Sequence, residues 1–178
     1  MKYWPVPDSY TKKIPDKNLP GSFWENRQDR YHCGIDIYAP DGSDVISIDN
    51  GYVVKTGIFT KSTTVPYWNQ TRYIIIKNTK DLLYNYAELG DVVVKKGEYV
   101  NAGQLIGHVG TVLNINKVTI KSPKYIQKIK NNKHQSMLHF EIYNNLPSSN
   151  KKYSGGNWFG KNKPSYLLNP ANHLKKIF

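Results

Sequence analysis

The chain has 178 residues, 39% hydrophobic and 13% aromatic, which fits one globular domain and excludes wholesale disorder. No run approaches the ~20 apolar residues needed to span a bilayer, and the single cysteine, Cys33, excludes a disulfide framework or a Cys-rich zinc module. The net charge is +12, yet only three of the 25 basic residues are arginine (Arg27, Arg30, Arg72), which disfavours a base-reading nucleic-acid binder.

Residues 1–30 are rich in proline and polar residues and read as an extended lead-in. No apolar h-region follows Met1-Lys2-Tyr3-Trp4-Pro5, so the chain is read as intracellular or as numbered after a removed leader. Residues 31–145 read as a β domain. Asp36-Ile37-Tyr38 ends at a Pro40-Asp41-Gly42 turn. Val45 to Ile48 and Tyr52 to Val54 flank Asn50-Gly51, which predicts a hairpin. Arg72–Lys77 and Leu82–Tyr86 form a second pair around residues 78–81. From Val92 to Gly110 glycines recur where short strands turn or cross closely. The fold class is therefore mostly β, a compact sandwich or barrel of short antiparallel strands.

Residues 111–136 read as an insertion with a short helix from Pro123 to about Asn131, opened by Ser122 and striped by Tyr125, Ile126 and Ile129. Six lysines lie in it with no acid. They read as a solvated face, or as a surface for an anionic cell-wall polymer. The last strand is Met137–Tyr143. Residues 146–178 read as a loop-like tail ending in a helical turn near Asn169–His173, with His173 on the surface.

Three polar residues stand out. His32 and Asp36 share one face of an extended segment, with Gly34 leaving room between them. His139 shares a face with Met137 and Glu141. Two imidazoles and a carboxylate match an open catalytic zinc site. Spacing alone leaves structural histidines as the commoner alternative. Cys33 points to the opposite face and reads as a buried thiol. His108 and His134 lie elsewhere and could supply an imidazole only if their loops folded over the metal. Tyr3, Trp4, Phe23, Trp24, Trp68, Trp158 and Phe159 read as core, or as the lining of a glycan or peptide groove.

The order of blocks adds context: His32 to Gly42, Val45 to Val53, Tyr86-Ala87-Glu88-Leu89, Lys96 to Gly110, and Met137-Leu138-His139-Phe140-Glu141. Over roughly residues 20–143 this order resembles the lysostaphin/LytM-type zinc metallopeptidases, β-rich peptidoglycan endopeptidases of the cell envelope. The resemblance implies zinc on His32, Asp36 and His139, and a cell-wall peptide substrate. It also exposes two departures. The family has histidine where Glu88 and Met137 stand here, and those two histidines are its catalytic pair. The chain also resembles a divergent branch with Tyr-x-Glu and Met-Leu-His blocks and a segment like Pro66-Tyr67-Trp68-Asn69. Two functions follow from the resemblance. One is a zinc endopeptidase with Glu88 as base. The other is a catalytically degenerate relative that binds peptidoglycan or a protein. A lipoyl-like carrier is disfavoured, because no Met-Lys-Met or Asp-Lys-Ala hairpin is present.

Overall fold

A computed structural model describes residues 3–122, 124–130, 134–146 and 152–175. The strands are β1 (Tyr31–His32), β2 (Ile35–Tyr38), β3 (Asp44–Ile46), β4 (Gly51–Thr60), β5 (Thr71–Asn78), β6 (Leu83–Val92), β7 (Tyr99–Val100), β8 (Leu105–Val109), β9 (Met137–Tyr143), β10 (Tyr153–Ser154), β11 (Asn157–Trp158) and β12 (Leu167–Leu168). Among the described residues there are also two short helices, α1 (Lys124–Lys130) and α2 (Pro170–Leu174), and a 3-10 turn at Ile115–Lys117. The fold is mostly β and antiparallel, as the turn spacing predicts. Among the described residues no helix is long and apolar enough to cross a membrane.

The large sheet runs β12-β9-β6-β5-β4-β7, with β2 also on β9, and β8 bridging β6 and β3. Its centre is the pair β5–β6, joined at the turn predicted there. Asn78 shapes that turn: its Oδ1 accepts from the backbone N–H groups of Lys80 and Leu82, at 2.9 Å each. Ile74, Ile76, Tyr84, Tyr86, Leu138, Phe140 and Ile142 interdigitate with Ile35, Val45 and Ile106 in the main core. Tyr86 is fully buried, and its hydroxyl accepts from the Ile48 N–H at 3.0 Å.

The Asn50-Gly51 hairpin does not form. β3 pairs with β8, while β4 has β5 on one edge and β7 on the other. Both edges of β4 are taken, so residues 47–50 turn away instead, and Ser47 exchanges backbone bonds with Gly103 and Gln104.

Among the described residues the lead-in carries no strand before Tyr31, but it packs. Trp4 and Val6 are buried in the main core, and the Ile46 N–H donates to Pro5 O at 2.9 Å. The tail is more ordered than a loop. β10 and β11 form a hairpin turning at Gly155-Gly156, both at positive φ, and β11 pairs with β1. β12 pairs with β9. Asn169 caps α2 by accepting from the Ala171 N–H. His173 is half-buried rather than on the surface, with Nε2 3.1 Å from the Tyr84 hydroxyl. In the insertion, Ile126 of α1 packs on Leu113 and Val118. Pro123 and Asn131, the predicted helix ends, lie outside the described residues, as do the side chains of Tyr125 and Ile129.

Candidate metal centre

β2 and β9 are paired so that Asp36 stands opposite His139, and β9 pairs with β6 so that Ala87 stands opposite His139 on the other side. His32 ends β1, held on one edge by Asn157 of β11. On its other edge Trp24 N–H donates to His32 O, and His32 N–H donates to Glu25 O. A Cβ on Gly34 would come within 2.4 Å of Phe140 O and 3.0 Å of His139 Cε1, so only glycine lets the two segments meet here.

Three donor atoms converge as a result. His32 Nε2 is 3.0 Å from Asp36 Oδ1, His139 Nδ1 is 2.9 Å from Asp36 Oδ1, and the two imidazole nitrogens are 3.0 Å apart. All three residues are buried, at 1%, 6% and 2% exposure. The outer partners set the tautomers. His32 Nδ1 lies 2.8 Å from Ser22 O and so carries its proton there. His139 Nε2 lies 2.8 Å from Glu141 Oε1 and carries its proton there. Neutral imidazoles held this way turn two lone pairs toward Asp36 Oδ1. With their inner nitrogens deprotonated, the two imidazoles and Asp36 Oδ1 offer two nitrogens and an oxygen to one small space, a donor set that fits a divalent cation.

In the metal-free chain the electrostatics favour a proton in that space. Burial would raise the Asp36 carboxyl, but His32, His139 and Arg27 hold it well below the usual range. Burial lowers His32. Burial also works to lower His139, but Glu141 and Asp36 overcome it and push the imidazole up to about 10. A proton on His139 therefore occupies the space that a cation would take.

Glu88 sits beside this group on β6. Leu89 and Ala87 oppose the consecutive Arg72 and Tyr73 of β5, so Glu88 is the extra residue of a bulge. Its φ of 64° lies in the left-handed region, unusual outside glycine. Its backbone oxygen accepts from Gly110 N–H at 2.9 Å, and Gly110 in turn bridges Met137. The half-buried carboxyl is raised to about 7 by burial and by Asp36.

Several residues at the site were not legible in sequence. Arg27 donates to Asp36 Oδ2 at 3.2 Å and to Glu25 Oε2 at 3.1 Å. Ser22, Glu25 and Arg27 all come from the lead-in. The one available signal was that Arg27 is an arginine in a lysine-rich chain, where a planar fork is needed. Glu141 is fully buried and accepts from Asn85 Nδ2 at 2.9 Å, from Tyr153 OH at 3.0 Å, and from Tyr143 OH. Phe59 of β4 stacks on His139 with centroids 5.7 Å apart. A cavity of about 320 Å³ lies between Asp36–Tyr38 and lead-in residues around Ile14 to Leu19.

The other candidates stay apart. His108 bonds Asp91 at 2.7 Å, and the His134 ring lies tilted against Tyr10 with centroids 3.9 Å apart. Cys33 is buried with Trp158 in a second cluster, its thiol pushed up by burial. Trp4 and Trp158 are core, and Trp24 stacks on Tyr31 at 4.7 Å.

The sequence and the fold are similar to those of known proteins. The model of peptidase family M23 matches residues 30–151. A LytM protein of Ruminococcus gnavus ATCC 29149 is similar at 21% identity over 99% of this chain and 60% of that one, with a TM-score of 0.56. A SpoIIIAH–SpoIIQ complex contains a chain similar at 19% identity, covering 97% and 99%, with a TM-score of 0.54. The catalytic domain of lysostaphin from Staphylococcus simulans is similar at 21% identity over 82% and 80%, with a TM-score of 0.49. No curated protein matches the sequence. At these identities the solved structures speak to fold.

Proposed function

We propose a function from a plain premise: the chain belongs to peptidase family M23. It is a zinc-dependent hydrolase of peptide cross-links in peptidoglycan, with His32, Asp36 and His139 as ligands and Glu88 as general base. Members of this family generally act on the cell wall, outside the cytoplasm. The observation that carries the reading is the convergence of three lone pairs, with tautomers set by Ser22 O and Glu141, on one point.

Bound zinc supplies Lewis-acid polarisation of the scissile carbonyl. The chain's own residues supply the rest. Arg27 holds Asp36 Oδ2, which leaves Oδ1 turned toward the two histidines. Met137 stands at the first position of the His-x-His pattern, and its thioether moves no proton. Proton transfer then falls to Glu88, a carboxylate on the bulge of β6 that would take a proton from the attacking water and deliver it to the leaving amine.

The test is incubation of the zinc-loaded chain with purified cross-linked muropeptides. Wild type is expected to release cleaved peptides, and Glu88→Gln to lose about 100-fold or more in rate. Metal-loaded protein that yields no products removes the catalytic reading.

One observation favours a second reading, a non-catalytic scaffold. The ligands are no more than 6% exposed, and Gly156 packs against His139 so closely that a Cβ there would lie 2.6 Å from Nε2. A chain of similar fold is found in complex with another protein, SpoIIIAH with SpoIIQ. Under this reading the centre binds peptidoglycan or a protein, and Glu88→Gln leaves every activity intact.

A further inference from the structure

We infer that the C-terminal hairpin β10–β11 is a clamp that positions all three metal ligands, so that metal affinity depends on residues beyond residue 151, where the family match ends. The inference rests on the metal reading above and concerns what sets the strength of that site.

The hairpin reaches each ligand by a different contact. Tyr153 OH donates to Glu141 at 3.0 Å, and Glu141 fixes the Nε2 proton of His139. Gly156 packs on the His139 ring, and its backbone oxygen accepts from Cys33 N–H at 2.8 Å, next to His32. Asn157 pairs in register with His32. Its Oδ1 accepts from Arg27 Nη1 at 3.2 Å, and Arg27 Nη2 donates to Asp36 Oδ2 at 3.2 Å.

The physical consequence is orientation. A carboxylate can present either oxygen, and an imidazole can swing about χ2. Holding Asp36 Oδ2 on Arg27 turns Oδ1 inward. Holding Glu141 with Tyr153, Tyr143 and Asn85 leaves it one acceptor direction, toward His139 Nε2. His139 Nδ1 then stays a lone pair facing the centre. Outer partners of this kind contribute about 10- to 100-fold in metal affinity. Tyr153 and Asn157 are thus positioning residues, and neither would touch the metal or the substrate.

The experiment measures zinc affinity of the full chain by competition with a chromogenic chelator, together with the visible spectrum of the cobalt(II) form. Tyr153→Phe keeps the ring and removes one donor to Glu141, and is expected to weaken zinc binding about tenfold. Asn157→Ala removes the Nη1 acceptor of Arg27 and leaves it with Glu25 and Asp36, and is expected to weaken zinc binding similarly, with a shifted cobalt spectrum. Tyr166→Phe is the control from the same tail. Its hydroxyl makes no hydrogen bond among the described residues, so wild-type affinity is expected. Thermal unfolding in chelator confirms that each variant is folded, and Tyr153→Phe, the milder change, decides if Asn157→Ala does not fold. Folded variants with wild-type zinc affinity overturn the clamp alone. A wild-type chain that takes up no zinc overturns the metal reading, and the clamp falls with it.

Discussion

His32 Nε2 and His139 Nδ1 face each other at 3.0 Å although 107 positions separate them in the chain. Neither imidazole can donate to the other while Ser22 O and Glu141 hold their remaining protons. The contact is favourable only with a cation, or a proton, between the rings. A proton fills that space in the metal-free chain, and a divalent cation that binds there has to displace it.

Asp36 tests the centre most directly. Asp36→Asn keeps the shape but removes the charge that Arg27 and both histidines face. Zinc affinity is expected to fall by more than about 100-fold, since a ligand counts for more than its supporting partners. Isothermal titration with zinc reads this, and unchanged affinity would place the metal elsewhere.

Gly34 tests the meeting of the two segments. Gly34→Ala would put a methyl 2.4 Å from Phe140 O and 2.9 Å from Glu141 Cγ. β2 and β9 would have to separate, at a cost of about 2–3 kcal/mol in urea unfolding. Zinc binding is expected to weaken as well, because His139 is carried on the displaced strand. A neutral substitution would show that β2 and β9 can separate there at no cost.

Glu88 predicts a pH dependence of stability in the metal-free chain. Burial and Asp36 raise its carboxyl from 4.5 to about 7. A carboxyl raised in the folded state favours folding while it is protonated. That contribution is complete below about pH 4.5 and is lost as pH rises through about 7. Glu88→Gln cannot ionise. The Tm of wild type relative to Glu88→Gln, measured in chelator, is therefore expected to fall between pH 4.5 and 7. A difference that does not change with pH would take Glu88 out of this environment.

Trp4 tests whether the lead-in belongs to the domain. It is 4% exposed in the main core, and its indole N–H donates to Ser9 Oγ at 3.0 Å. Trp4→Ala is expected to cost about 3 kcal/mol or more by urea denaturation. A loss under about 0.5 kcal/mol, the size typical of a surface site, would make the segment a dispensable extension.

Much of the architecture was legible locally. The β5–β6 turn follows from Asn78 to Asp81, and β9 follows from the alternation of Leu138, Phe140 and Ile142 with His139 and Glu141. The face shared by His32, Gly34 and Asp36 follows from the two-residue period of extended chain. Asn50-Gly51 misled because a turn signal reports the local backbone and not which strand edges remain open. The tail strands were missed because two-residue strands carry no periodicity.

The residues themselves determined which side chains could bind a metal, since ligand chemistry and strand parity belong to the local chain. Only the folded molecule decided which way those ligands point. The atoms that orient them are Ser22 O, Arg27, Glu141, Tyr153 and Asn157, drawn from the lead-in, the last strand and the tail. Hydrogen bonds between segments so far apart depend on strand pairing and register, which no short window of sequence contains.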